Sequence, residues 1–292
     1  MLDYAALSAL SAVLRTGSFE GAALSLGVTQ SAISQRIKGL EERLGTALVR
    51  RTRPASATEA GARLLRHTEN VGLLEAALSN DLGGLLPQEH RPVRIAVNAD
   101  SLATWVLPAL AQVHGLLYDV IVDDQDHSAD WLRAGDVAGA ITSHAAPIPG
   151  CNAYPLGALP YAATCAPSFF AQWFQTGITP ESLAKAPALT YNRKDSLQER
   201  WVAEVTGQQL ALPTHYLPST HGFVEAAELG IGWGLNPLAL AEPAIAAGRL
   251  VALEPQREIT TPLYWQVPRQ MAEAMAPLNK ALRQHAKSVL LQ

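Results

Sequence analysis

The stretch FEGAALSLGVTQSAISQRIKGLEERLG, residues 19–45, constrains this chain more than any other. Ser18 precedes an Ala- and Leu-rich run, and Thr29 precedes a second run in which Ile33, Ile37, Leu40 and Leu44 recur at helical spacing. Serine and threonine there are helix N-caps. Gly27 sits between the runs, where a tight turn needs a residue free to adopt positive φ. Ala22 and Ala23 are small where the two helices must cross closely. Upstream, Asp3 caps a helix with Leu7, Leu10, Val13 and Leu14 on one face, and Gly17 ends it. Helix, glycine-containing turn, helix is the unit that lays its second helix in the DNA major groove.

The outer face of that second helix begins at Thr29 and carries Gln30, Ser31, Ser34, Gln35 and Lys38. Glutamine can pair with adenine, serine donates or accepts, and lysine suits phosphate or guanine. Glu41 and Glu42 come only at the far end. Leu48 and Val49 then suit a short strand, followed by Arg50, Arg51, Arg53 and the turn-forming Pro54. This reads as a wing whose cations meet the DNA backbone or a minor groove. A solvated polar surface is the alternative for both features.

The net charge of −4 hides an asymmetry. Residues 1–66 hold nine Lys/Arg against five Asp/Glu, a net +4 that leaves −8 for the remainder. A basic head on an acidic body fits a DNA-binding domain joined to a domain of another kind. At 292 residues the chain has room for two or three domains. No apolar run is long enough for a transmembrane helix and no secretory leader is evident, so a cytoplasmic protein without a membrane partner is expected. Cys151 and Cys165 have no metal-ligand spacing and read as plain buried thiols.

From Thr58 a long helix carries Leu64, Val71, Leu74, Leu78 and Leu85 near heptad spacing. This is a dimerisation seam, or else an amphipathic helix packed on its own body. Gly83-Gly84 and PQEHRP read as a hinge. The expected divisions are a DNA-binding domain 1–58, a linker helix and hinge 59–87, and a body 88–292. From Val93 onward, strand-like and helix-like runs alternate, which argues for an α/β body with a parallel sheet.

Ligands in such sheets sit beyond the carboxyl ends of strands. The first strand ends at Asn98-Ala99-Asp100-Ser101, where a helix begins and its free N–H groups favour an anion; Ser101 or Thr104 adds a hydroxyl. The second strand ends at Asp123-Asp124, carboxylates that attract ammonium or guanidinium. Together these describe a pocket for a zwitterion with an extra positive charge. Alternatively, Ser101 only caps its helix and the aspartates solvate a loop. No phosphate loop, H-x-x-H pair or G-x-S-x-G elbow occurs, so neither an enzyme, a cofactor nor a metal is expected.

Residues 19–61 closely resemble the DNA-binding domain of the LysR-type transcriptional regulators, although Ser31 stands where most of that family has proline and Gln35 where arginine is frequent. NADSLATWVLPAL from Asn98, with LLEAALSND, GFVEAA and LYW, is similar to the branch controlling export of basic amino acids, the ArgP- and LysG-like regulators, part of which is also called inhibitor of chromosome initiation. The resemblance implies a winged helix-turn-helix, a linker helix, and an effector domain like a periplasmic binding protein. Its two lobes would be about 93–161 with 264–292, and about 162–263. The same resemblance implies lysine or arginine as effector, held by Asp100, Ser101, Thr104 and Asp124. Thr142 and Ser219 would face the ligand from strand and helix ends, and Trp265 would close the pocket or pack at the lobe return. It also implies a dimer or tetramer, a double-stranded DNA operator, an exporter gene as target, and RNA polymerase at the promoter. The alternatives are a regulator with a different effector and, on the body alone, a solute-binding protein without DNA function.

Overall fold

A computed structural model describes residues 2–81, 91–123, 128–257 and 259–292. They divide into two compact units at Val93/Arg94, and each is described by itself.

The first unit is built on α1 (Tyr4–Thr16), α2 (Phe19–Leu26) and α3 (Gln30–Leu44). Their N-caps are Asp3, Ser18 and Thr29, whose side chains accept from the N–H groups of Ala5, Gly21 and Ala32. Each helix ends at a left-handed glycine, Gly17, Gly27 or Gly45, where other residues would be strained. Leu7, Leu10, Val13, Ile33, Ile37 and Leu40 form the core with Ala22 and Ala23. The wing is β1 (Val49–Arg50) paired antiparallel with β2 (Ser56–Ala57). Glu41 anchors it: its Oε1 accepts from the backbone N–H groups of Leu48 at 2.7 Å and Val49 at 3.3 Å.

Helix α4 (Glu59–Asp81) follows directly. Thr58 Oγ1 accepts from Gly61 N–H at 3.0 Å and donates to Ala47 O at 2.7 Å, so one hydroxyl caps α4 and ties it to the wing. Leu64 packs against the head core. Val71 is half-buried, whereas Leu74 and Leu78 are exposed. Leu85 and the expected hinge as far as His90 lie outside the described residues, whereas Arg91 and Pro92, expected at the hinge's end, open the strand Arg91–Val97.

The second unit is organised by one seven-stranded sheet. Its strands are β3 (Arg91–Val97), β4 (Leu116–Val122), β5 (Gly139–Thr142) and β6 (Cys151–Cys165), then, after β7 (Ala188–Thr190) and β8 (Thr214–Tyr216), β9 (Gly234–Pro237), β10 (Val251–Ala252) and β11 (Ile259–Pro268). The order is β10-β6-β11-β5-β3-β4, with β9 also on β6, while β7 and β8 form a separate parallel pair. The sheet is mixed rather than parallel. Strand β3 pairs parallel to β5, but β6 and β11 run antiparallel along their length. The chain leaves along β6 and returns along β11, so that pair must be antiparallel.

The two long strands have different neighbours at their two ends. Strand β5 pairs β11 at Tyr264–Gln266, whereas β9 and β10 pair β6 at residues 161–165. A register shift at Leu263/Tyr264 falls between these zones, opposite Pro155 and Gly157. Strand β6 runs through Pro155, Gly157 and Pro160, residue types that usually interrupt a strand. The expected helix after β3 is continuous but not uniform: a turn at Ala99–Ser101, a π turn at Leu102–Val106 and a helix at Leu107–Ala111. Pro108 lacks the N–H that an α-helix would require there.

Trp265 is core. It is fully buried, its indole N–H donates to Asn279 Oδ1 at 2.6 Å, and its ring fills the space a side chain at Gly139 would need. Cys151 and Cys165 are buried thiols, and burial pushes Cys165 up to about 12. Among the described residues no helix is long and apolar enough to cross a membrane, and no group of three or more His, Cys, Asp and Glu could hold a metal.

Two glycines of the first unit give opposite expectations. A Cβ on Gly61 would collide with the carbonyl oxygen of Leu48, so Gly61→Ala must push α4 off the wing. It should cost about 1–3 kcal/mol. Gly39, within α3, faces open space, and Gly39→Ala should stabilise by about 0.5–1 kcal/mol. Urea unfolding of both variants checks the pair; equal midpoints would refute the contact.

Candidate functional site

The first unit presents one polar surface. Thr29, Gln30, Ser31, Gln35 and Lys38 are exposed along α3, and Ser34 is half-buried among them. They share a face because Ile33, Ile37 and Leu40 turn the opposite face into the core. Thr29 spends its oxygen on the cap and lies 3.0 Å from the Ser31 hydroxyl. Lys38 pairs with Glu42 at 3.7 Å, both ends well exposed, so the pair is weak and easily exchanged for another anion. On the wing, Arg50, Arg51 and Arg53 are all exposed, and the Arg51 guanidinium lies 5.0 Å from the centre of the Phe19 ring. That stacking steadies a side chain that would otherwise sample many rotamers.

The second unit contains a small cleft of about 120 Å³ that opens to solvent. Its lining includes Asn98 and Asp100 after β3, Asp123 after β4, Tyr161 on β6, and Tyr191, Asn192, Asp195 and Gln198 after β7. Thr220 and Phe223 come from the helix Thr220–Glu228, and Asn236 from β9. The Asp100 carboxylate sits at the centre of this polar set. Oδ2 accepts from the Tyr161 hydroxyl at 2.8 Å and Oδ1 from the Thr220 hydroxyl at 2.9 Å.

Asp123 accepts from the Trp131 indole N–H at 2.9 Å and lies 3.8 Å from Lys194 Nζ. Asp195 is a brace: its oxygens accept from the backbone N–H groups of Tyr191 and Leu197 and shape the loop bearing Asn192. Burial first, and the Asp100 charge second, hold the Tyr191 phenol above its usual range. It therefore stays protonated and able to donate near neutral pH. Buried acceptors Asn98 Oδ1, Gln198 Oε1 and Asn236 Oδ1 have no hydrogen-bond partner. The lining thus joins the carboxylates of Asp100 and Asp123 to amide, hydroxyl and apolar side chains, a setting that suits a cation with an apolar stem.

Of the described residues expected at a ligand, Asp100 and Asp123 line this cleft. Ser101 is turned one helical step inward and fully buried, and its hydroxyl has no partner. Thr104 donates to the backbone oxygen of Asp100 at 2.7 Å. Thr142 is buried in β5, accepting from Gln266 Nε2 at 3.0 Å. Ser219 caps the helix Thr220–Glu228, and the cleft is reached by its neighbour Thr220. Asp124 lies outside the described residues. Tyr161, Tyr191, Gln198 and Asn236 were not expected. The strand-end rule that drew attention to residues 98–101, there as a site for an anion, also points to the segment TYNRKDSLQ after β7, where Asn192, Asp195 and Gln198 lie. No such signal marks Tyr161 in mid-strand.

A head with a capped reading helix and an arginine wing, together with a body holding an acidic cleft, defines a ligand-responsive DNA-binding regulator. Residues 4–62 match the family described as bacterial regulatory helix-turn-helix protein, lysR family, and residues 87–290 match the LysR substrate binding domain. The chain belongs to the LysR family of transcriptional regulators. It is similar to the HTH-type transcriptional regulator LysG of Mycobacterium tuberculosis strain H37Rv, 40% identical over 99% of this chain and 95% of that one. It is 42% identical to the regulator ArgP of Pseudomonas fluorescens strain Pf0-1, over 97% of this chain and 96% of that one. Among solved structures, ArgP from Mycobacterium tuberculosis superposes with a TM-score of 0.80 at 40% identity, covering 100% of this chain and 99% of that one. LysG from Corynebacterium glutamicum with bound effector Arg does so with a TM-score of 0.68 at 36% identity, covering all of both chains. LysR-type regulators bind DNA and a small-molecule effector and work as oligomers.

The wing makes a specific expectation. Arg51→Ala should weaken binding to specific and random duplexes alike and reduce the slope of log affinity against log salt by about 1. Fluorescence anisotropy across a salt series measures this. An unchanged slope would mean that Arg51 serves only the Phe19 stack.

Proposed function

We propose that this regulator senses a basic amino acid, lysine or arginine, in the Asp100 cleft and controls an exporter gene for such amino acids. The observation that carries the reading is the convergence of the Asp100 and Asp123 carboxylates on one cleft. Its support from relatives is the arginine-bound Corynebacterium LysG. Asp100 supplies the main ionic partner, with Tyr161 and Thr220 holding its oxygens. Asp123 supplies the second, and Asp124 stays a candidate from its place next in sequence. Ser101, Thr104, Thr142 and Ser219 support the walls in this reading rather than touch the ligand.

The ligand acts by population shift. It prefers one arrangement of the walls around the cleft, and only that difference in affinity can alter the DNA-bound state. Two copies pair through α4, where Leu74 and Leu78 offer apolar surface, and dimers or tetramers present the reading helices to the halves of an operator. Gln30, Ser31, Ser34 and Gln35 read bases, while Lys38, Arg50, Arg51 and Arg53 meet phosphates. The working site is the cytoplasm, with RNA polymerase as partner at the promoter.

Asp100→Asn tests the effector. Removing the charge should weaken arginine and lysine binding about tenfold or more in calorimetry, given what a charge-assisted hydrogen bond contributes. Basal DNA affinity should not change. Tight leucine binding by the wild type, or arginine binding unaltered in the variant, would overturn the assignment.

A further inference from the structure

Lys194 stands at the cleft in a way the effector reading leaves unused. Its Nζ lies 3.8 Å from Asp123 Oδ1, while Asp123 Oδ2 accepts from the Trp131 indole. The carboxylate is therefore held in place, and one of its oxygens faces an ammonium that the chain itself supplies. The backbone that carries Lys194 is braced. Its own N–H donates to Asn192 Oδ1 at 2.7 Å, and Asp195 clamps the same turn through Tyr191 N–H and Leu197 N–H. Asn192 and Asp195 both line the cleft, so the turn carrying Lys194 is part of its wall.

We propose that Lys194 is a tethered competitor: its ammonium occupies the cationic position at Asp123 until the effector's side-chain cation displaces it. The inference rests on the proposed basic amino-acid effector. A lysine effector would bring the same ammonium on the same four-carbon stem, so the resident and incoming groups make equivalent contacts.

The exposures make the exchange feasible. The Lys194 side chain is 56% exposed and that of Asp123 24%. Displaced, the ammonium returns to water at little desolvation cost, while the more sheltered carboxylate is not left without a cation. Tethering gives the resident ammonium an effective concentration of order millimolar, so it lowers apparent effector affinity without blocking it. It thereby sets the threshold at which the regulator responds. It also sharpens selection for charge, because a neutral amino acid cannot replace Lys194 at Asp123.

The test is calorimetry on the full-length protein with arginine, lysine and citrulline, whose side chain is a neutral relative of the guanidinium. Lys194→Met keeps the apolar stem and removes the charge. It should bind arginine and lysine about two- to fivefold more tightly, the range of a partly exposed ion pair, with citrulline binding unchanged. Lys194→Arg should restore the wild-type threshold. Weaker or unchanged arginine and lysine binding by Lys194→Met would overturn the proposal, since it would make Lys194 a ligand contact or a bystander. A gain shared equally by citrulline would also overturn it, by showing that the stem and not the charge obstructs the cleft. If wild type and variant both fail to bind arginine and lysine, the effector reading itself falls and this inference with it. If wild type binds them and only the expected gain is missing, the effector reading stands and the tethered competitor does not.

Discussion

The second unit depends on one half-buried carboxylate. Asp100 draws a hydroxyl from Tyr161, in the middle of the long strand β6, and another from Thr220, at the start of a helix more than a hundred positions further along. A carboxylate leaving water must recover its lost hydration, and fixed hydroxyl donors do that. The same contacts hold three walls of the cleft at defined distances. Everything else about the site follows from where those walls stand: the nearness of Asp123, the braced turn at Asn192–Asp195, and the buried amide oxygens of Asn98, Gln198 and Asn236.

The head uses the same chemistry for a different end. Glu41 receives the N–H groups of Leu48 and Val49 and so fixes where the wing leaves α3. Thr58 and the bare backbone of Gly61 then seat α4 against that wing. Reading helix, wing and linker helix are thereby joined by side-chain to backbone bonds and one close approach, which fixes the spacing between α3 and the arginines. Glu41 is invisible to a reading that treats it only as an acid kept away from DNA.

The head was legible in the sequence almost residue by residue because its signals are local. Caps at Asp3, Ser18 and Thr29 and left-handed glycines at 17, 27 and 45 each act within a few residues of themselves. The body was legible in its alternation of elements but not in its sheet. Prolines within β6 disguised a strand of 15 residues, and its partner β11 is about a hundred positions away. Ser101, Thr104 and Ser219 show the limit for the site. They lie one to four positions from cleft residues; helical rotation buries the Ser101 hydroxyl, and backbone hydrogen bonds occupy those of Thr104 and Ser219.

From the sequence alone come the division into a basic head and an acidic body and the reading helix with its polar face. Those conclusions rest on periodicity, capping and net charge, which are properties of short segments. Which carboxylates share a cleft, that Tyr161 and Thr220 serve Asp100, that Trp265 packs in the core, and that Lys194 faces Asp123 were decided only by the tertiary structure. Each depends on bringing distant segments to within hydrogen-bonding or van der Waals distance. Only the assembled sheet sets those distances.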